Sequence, residues 1–170
     1  MNVRKANISD VPAIMNLLQQ RIRWMDEKGL YQWNKTDYLG VYPSAYFIKL
    51  VNRQVVYVAK EADCLQGVMA LFSEDPRWTK SGKALYVHHL ATDLSCKGLG
   101  AEMLCYAETE AIKHGCDYLR LDCQIVNLDL NRYYERLGYI CVGTCIDGAY
   151  EGNLMEKPLV GEQIDYETIR

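Results

Sequence analysis

At 170 residues, 49% of them apolar, the chain is long enough to close a full core of the kind found in soluble globular domains. Its formal charge of -3, with no run of Lys and Arg, provides no field for gathering phosphate backbones and argues against nucleic acid as a direct partner. No apolar stretch approaches the roughly 18 residues that cross a bilayer, and no apolar signal core opens the chain, so a cytoplasmic protein without a membrane partner is expected.

The first predicted element is a short strand, "NVRKA", followed by a helix. Ser9 or Asp10 can cap that helix, Pro12 fits its first turn, and Ile14, Leu17, Leu18, Ile22 and Met25 form its apolar stripe before Gly29 ends it. The segment "GLYQWNKTDYLGVYP" reads as an aromatic loop carrying Tyr31, Trp33, Tyr38 and Tyr42, and "SAYFIKLVN" as a second helix. "QVVYVAKE" and "LQGVMALFS" read as a hairpin. After the polar loop "EDPRWTKSG", "KALYVHHLAT" reads as a third strand, in which His88 and His89 point to opposite faces. A helix then starts at a glycine loop, with Leu99, Met103, Leu104, Ala107, Ala111 and Ile112 on one face and Gly115 at its end. "CDYLRLDC" is the next strand, parallel to its predecessor through a right-handed crossover. "NLDLNRYYERLG" is the last helix, and "YICVGTCIDG" and "NLMEKPL" form a closing hairpin around "AYEG".

The order β-α-α-β-β-β-α-β-α-β-β predicts an α/β (α+β) protein with a mixed, mainly antiparallel central sheet and helices on both faces. It forms one domain over residues 1–160, with a polar tail at 161–170. The seven cysteines, Cys64, Cys96, Cys105, Cys116, Cys123, Cys141 and Cys145, form no C-x-x-C pair and read as reduced, mostly core thiols. Only Cys141 and Cys145 approach a ligand pair, and on a strand they would lie roughly 13 Å apart, so no metal is expected.

Two segments carry chemistry. In "SCKGLGA", Gly98 and Gly100 leave room for a diphosphate to reach the amides of Lys97, Gly98, Leu99, Gly100 and Ala101 at a helix start, and the Lys97 ammonium adds charge. A dinucleotide fold would want a third glycine at Met103, and a P-loop a Lys-Ser/Thr pair after the last glycine; both are absent. In the second segment Asn127 can cap a helix, and Tyr134, two turns on, falls on the same face. Taken singly, a tight strand-to-helix turn and a core tyrosine would explain either segment.

Together these residues resemble the GCN5-related N-acetyltransferase (GNAT) superfamily. The resemblance runs from "VRKANISDVPAIMNLL" to "NLMEKPL" and is most specific between Leu85 and Tyr139. The family's Q/R-x-x-G-x-G/A signature corresponds to residues 95–100, with Ser95 where Gln or Arg is usual. Its N-x6-Y-x3-G-F/Y signature is intact as Asn127, Tyr134, Gly138 and Tyr139.

The resemblance implies acetyl-CoA as co-substrate, a primary amine on a small molecule or peptide as acceptor, and direct attack on the thioester. It also implies a bulge near Leu90 that opens a slot between two strands. Leu90, Ala91, Thr92, Ser95, the 97–101 loop, Asn127, Asn131 and Tyr134 would then contact the cofactor, with Tyr134 as acid to the departing thiolate. His88 and His89 are candidates for the base, with Asp122 behind them as a residue of the same slot. Trp24, Tyr31, Trp33 and Asp122 would line the acceptor pocket. A homodimer is compatible with this reading. Its competitors are a non-catalytic acyl-CoA sensor or scaffold and an acetyltransferase acting on charged RNA, the latter disfavoured by the acidic balance.

Overall fold

The computed structural model describes residues 2–159, and the predicted polar tail lies outside the described residues. The chain runs β1 (Asn2–Lys5), α1 (Val11–Glu27), α2 (Tyr38–Val41), α3 (Ser44–Asn52), β2 (Val56–Glu61), β3 (Cys64–Phe72), β4 (Ala84–Thr92), α4 (Leu99–Lys113), β5 (Tyr118–Gln124), α5 (Leu128–Arg136), β6 (Ile140–Asp147) and β7 (Tyr150–Pro158). The strands form one sheet in the order β1-β2-β3-β4-β5-β7-β6, antiparallel except for the β4–β5 pair. This matches the expected mixed, mainly antiparallel architecture, with one short helix, α2, added inside the aromatic loop.

Local chemistry explains the remaining differences from expectation. Asn7, rather than Ser9 or Asp10, opens the first helical segment by accepting from the Ser9 N–H at 3.0 Å. Asp10 returns the bond to the Asn7 N–H at 2.9 Å while also holding the Arg4 guanidinium. The closing turn falls at Gly148–Ala149, earlier than "AYEG", because Gly148 takes the positive φ (59°) that a two-residue hairpin loop requires. Ile112 is 54% exposed, since one residue past Ala111 is about 100° off the buried stripe. The expectation of mostly core thiols fails at Cys64, Cys105 and Cys141, which are exposed; Cys116, Cys123 and Cys145 are buried.

Two cores lie on opposite faces of the sheet. Under α4 and α5, Leu99, Met103, Leu104, Ala107 and Tyr134 pack on Met69, Leu85, Val87, Leu119 and Leu121. Under α1 and α3, Ile14, Leu18, Phe47 and Leu50 pack on Val56, Val58, Val68 and Ala70. No helix among the described residues is long and apolar enough to cross a membrane.

A third cluster fixes the loop between β3 and β4. Arg120 and Glu156, only 0% and 2% exposed, bond at 2.8 Å, and the guanidinium also reaches the Lys80 carbonyl (3.1 Å) and the Tyr86 hydroxyl (2.9 Å). Lys80 pairs with the other oxygen of Glu156 at 2.7 Å. The loop is therefore pinned at residue 80, and its upstream half, with Asp75 and Arg77, is delivered against β4.

Candidate active site

The site begins with an irregularity in β4. Ala70 pairs with His88 and Val68 with Ala91, so two residues, His89 and Leu90, oppose the single Met69. His89 takes a φ of 55°, a conformation that L residues with a side chain rarely adopt and that a bulge can impose. Strand facing inverts across it: Leu85 and Val87 join the core under α4, but Ala91, also odd-numbered, joins the core under α1. The expectation that His88 and His89 face opposite ways is thereby overturned. Their rings lie 6.0 Å apart, and both line one cavity.

The bulge also coincides with a fork. β4 and β5 pair from Ala84–Tyr118 to Tyr86–Arg120 and no further among the described residues. Beyond the fork lies a cavity of about 860 Å³, bounded by α1 and the aromatic loop on one side and by α5 and the β6–β7 turn on the other. A second cavity of about 320 Å³ continues along Leu90, Ala91, Thr92, Cys96, Lys97, Gly98 and Gly100. Tyr134, with Leu90, Leu130, Tyr133 and Arg21, lines both, so its phenol stands at their junction.

The smaller cavity holds the glycine loop, with fewer free amides than the sequence offers. The N–H groups of Lys97, Leu99 and Ala101 are bonded to Ser95, Cys96 and Gly98 carbonyls at 3.2, 3.3 and 3.0 Å. Those of Gly98 and Gly100 have no backbone partner among the described residues. Gly98 has a φ of 85°, and a Cβ at Gly100 would come within 3.0 Å of the Tyr133 hydroxyl. The Ser95 hydroxyl bonds to Asp93 at 2.6 Å, which closes the turn before the loop. Leu99 is a core residue, 1% exposed, turned away from the cavity.

The two asparagines of α5, Asn127 capping it and Asn131 within it, divide. Asn127 lines the larger cavity, accepts from the Leu130 N–H at 3.2 Å, and reaches across to Gln32 of the aromatic loop at 3.1 Å. Asn131 is buried, with its amide spent on the Gln124 and Asn127 carbonyls and on Asn153; it is a strut rather than a cavity residue. Trp24, Trp33 and Asp122 line the larger cavity. Tyr31 is 48% exposed and lies outside the cavity lining. Trp33 stacks on Tyr38 with ring centres 4.4 Å apart.

Electrostatics separate the two histidines. His89 is buried between the hydroxyls of Tyr38 and Tyr46, the latter 3.0 Å from Nε2, and burial, with the Arg77 charge adding to it, lowers its pKa to about 3. It is a neutral strut of the aromatic wall. His88 sits in a polar network that the sequence did not reveal. Its Nε2 is 2.8 Å from an Asp75 oxygen and its Nδ1 3.1 Å from an Arg77 nitrogen. Arg77 also reaches Asp75 at 3.3 Å and Asp122 at 3.4 Å, and Asp122 accepts from the Tyr150 hydroxyl. Although burial opposes it, the hydrogen bonds from His88 and the Arg77 amide and the Arg77 charge hold the Asp75 pKa down at about 2. Donor atoms of Asp75, His88 and Asp122 lie within 4.8 Å of one another, and the Arg77 guanidinium touches all three and supplies the positive charge. Burial raises the Tyr134 pKa well above its ordinary value, so the phenol keeps its proton.

Residues 17–139 match the model of the Acetyltransferase (GNAT) family. The chain is 26% identical to the uncharacterized N-acetyltransferase YesJ of Bacillus subtilis over 162 residues, 90% of this chain and 87% of that protein. A GNAT-family acetyltransferase of known structure from Listeria monocytogenes is 26% identical, with a TM-score of 0.74 over 92% of this chain and 94% of its own. The PaiA N-acetyltransferase of Thermoplasma acidophilum, solved in complex with coenzyme A, shares the fold at 18% identity, with a TM-score of 0.75 over 92% and 98%.

Proposed function

The chain belongs to the acetyltransferase (GNAT) family, and from that premise we propose that it moves the acetyl group of acetyl-CoA to a primary amine of a small molecule or peptide. The observation that carries this reading is the position of Tyr134 where the two cavities meet. The diphosphate lies at the free amides of Gly98 and Gly100 beside Lys97, as an anion does at a helix start. The pantetheine arm follows Leu90 to Thr92, whose backbone is released from β5 by the fork. The binding of coenzyme A by the similarly folded PaiA protein supports the same use of this channel.

The acceptor enters through the larger cavity, between the stacked Trp33–Tyr38 pair and Asp122. Attack on the thioester leaves a thiolate whose sulfur is desolvated in the same slot as the Tyr134 phenol. Burial raises both pKa values in parallel, so the phenol donates a hydrogen bond that shortens toward proton transfer as the C–S bond breaks.

A panel of amines, polyamines, amino acids and peptides incubated with acetyl-CoA, read out by thiol release, tests the activity. Tyr134→Phe is expected to lower kcat about 10²-fold while leaving the Kd for acetyl-CoA within about twofold. Equal losses in binding and turnover would remove the acid role. Tight acetyl-CoA binding without acetylation of any amine would favour a non-catalytic acyl-CoA module.

A further inference from the structure

We infer that His88 takes the acceptor's proton at Nδ1, with Asp75 and Arg77 as positioning residues that select this nitrogen and guard it until an ammonium group arrives. The inference rests on the acetyl-transfer reading and adds to it the base and the charge state in which the acceptor is recognised.

The tautomer follows from what each partner can do. A carboxylate only accepts hydrogen bonds and a guanidinium only donates them. Asp75, almost wholly buried, lies 2.8 Å from Nε2, so Nε2 carries the hydrogen. Arg77 lies 3.1 Å from Nδ1, so Nδ1 presents its lone pair. His88 is therefore neutral in the empty site, and its one basic atom is covered by a cation that is itself a donor. Protonation at Nδ1 would set two N–H groups against each other, so Arg77 must first move aside. Asp122, 3.4 Å away, is already in place to keep it.

An alkyl ammonium has the same two properties as the guanidinium it replaces: positive charge and donors without acceptors. It can therefore bond to Nδ1 where Arg77 does. The groups facing this point are Asp75 and Arg77 from the β3–β4 loop, His89 on β4, Asp122 on β5, and Tyr150 on β7 through Asp122. Tyr42 and Asp147 lie at the surrounding wall. In this setting the ammonium gives one proton to Nδ1, and the freed nitrogen lone pair forms the N–C bond to the thioester carbon. The C–S bond then breaks and the sulfur takes the Tyr134 proton. The nitrogen's second proton replaces the one Tyr134 gave, and His88 returns its own to water. The sum is amide, free thiol and one released proton.

The test combines a spectrum with a rate profile. In protein carrying ¹⁵N-histidine, His88 is expected as the Nε2–H tautomer at neutral pH without any ligand; an Nδ1–H tautomer would overturn the inference. In the pH profile of kcat/KM with an amine that is acetylated, the acidic limb should rise by about one pH unit in Arg77→Met and fall by about one in Asp75→Asn, since the first removes a cation and the second an anion beside the ring. His88→Gln should abolish that limb and lower kcat about 10²-fold with acetyl-CoA affinity retained. Transfer that persists in His88→Gln with its limb in place would refute the role of His88 and leave that of Tyr134 standing. Failure of every amine would remove the acetyl-transfer reading itself, and this inference with it.

Discussion

Two arginine–carboxylate clusters meet the same face of β5, one at Arg120 and the other, two residues on, at Asp122. The first is sealed: Arg120 and Glu156 are almost wholly buried, and the guanidinium is met by a carboxylate, main-chain carbonyls and a phenol, with Trp78 stacked 5.0 Å away. The second opens on the larger cavity, where Arg77 shares its donors among Asp75, Asp122 and His88 at 3.1 to 3.4 Å. The same functional groups thus serve as scaffold where water is excluded and as a rearrangeable site where it is admitted. The sealed cluster also serves the open one, because it anchors the loop that carries Asp75 and Arg77.

The comparison can be broken most directly at its sealed end. Arg120→Met leaves Glu156 buried with Lys80 as its remaining cation and should cost about 3 kcal/mol in urea unfolding. Replacing Arg120 and Glu156 together by apolar residues of similar volume should recover most of that loss. A cost for Arg120→Met no greater than that for Arg77→Met would erase the distinction between the clusters.

Acid sharpens it next. With its pKa at about 3 in the fold and an ordinary value near 6.5 in the unfolded chain, His89 binds a proton only on unfolding in the intervening range. The stability it confers is complete above about pH 6.5. It should fall by up to about 1.4 kcal/mol per pH unit as pH drops toward 3. Denaturation midpoints across that range should flatten in His89→Phe, and an unchanged slope would contradict the assignment of His89 as a neutral strut. Asp75 adds a loss at lower pH, as its carboxylate protonates on descent from the ordinary value of 3.8 through about 2.

The smallest effect belongs to the open end. Arg77→Met should cost less unfolding free energy than Arg120→Met, since the Arg77 side chain is 22% exposed and His88 remains as a partner of Asp75. A cost near that of Arg120→Met would make the open cluster part of the scaffold.

Much of the framework was legible because it rests on local rules. The apolar stripes of α1 and α4 followed helical spacing, and the family signatures located Gly98, Gly100 and Tyr134. What escaped depended on contacts far apart in sequence. The loop "EDPRWTKSG" reads as a solvated turn, and nothing within it shows that Arg120, about forty residues later, pins it so that Asp75 and Arg77 reach His88. Counting amides in the 97–101 loop overestimated the free donors because local carbonyls claim three of the five. Asn131 fits a cofactor contact by its place on α5, but the backbone turn at Gln124 consumes its amide.

The extra residue in β4 makes that segment sensitive to its length in a way that its composition is not. Loss of one codon, that for residue 89 or 90, would restore simple alternation with Ala91 still opposite Val68, so the far end of the strand would keep its facing and only the bulge would vanish. With Leu90 gone, His89 alone would stand opposite Met69 and turn toward α4, away from the Tyr38 and Tyr46 hydroxyls that hold it now. Substitutions there alter single side chains; a frame-preserving deletion removes the kink that lets two adjacent histidines face the same cavity.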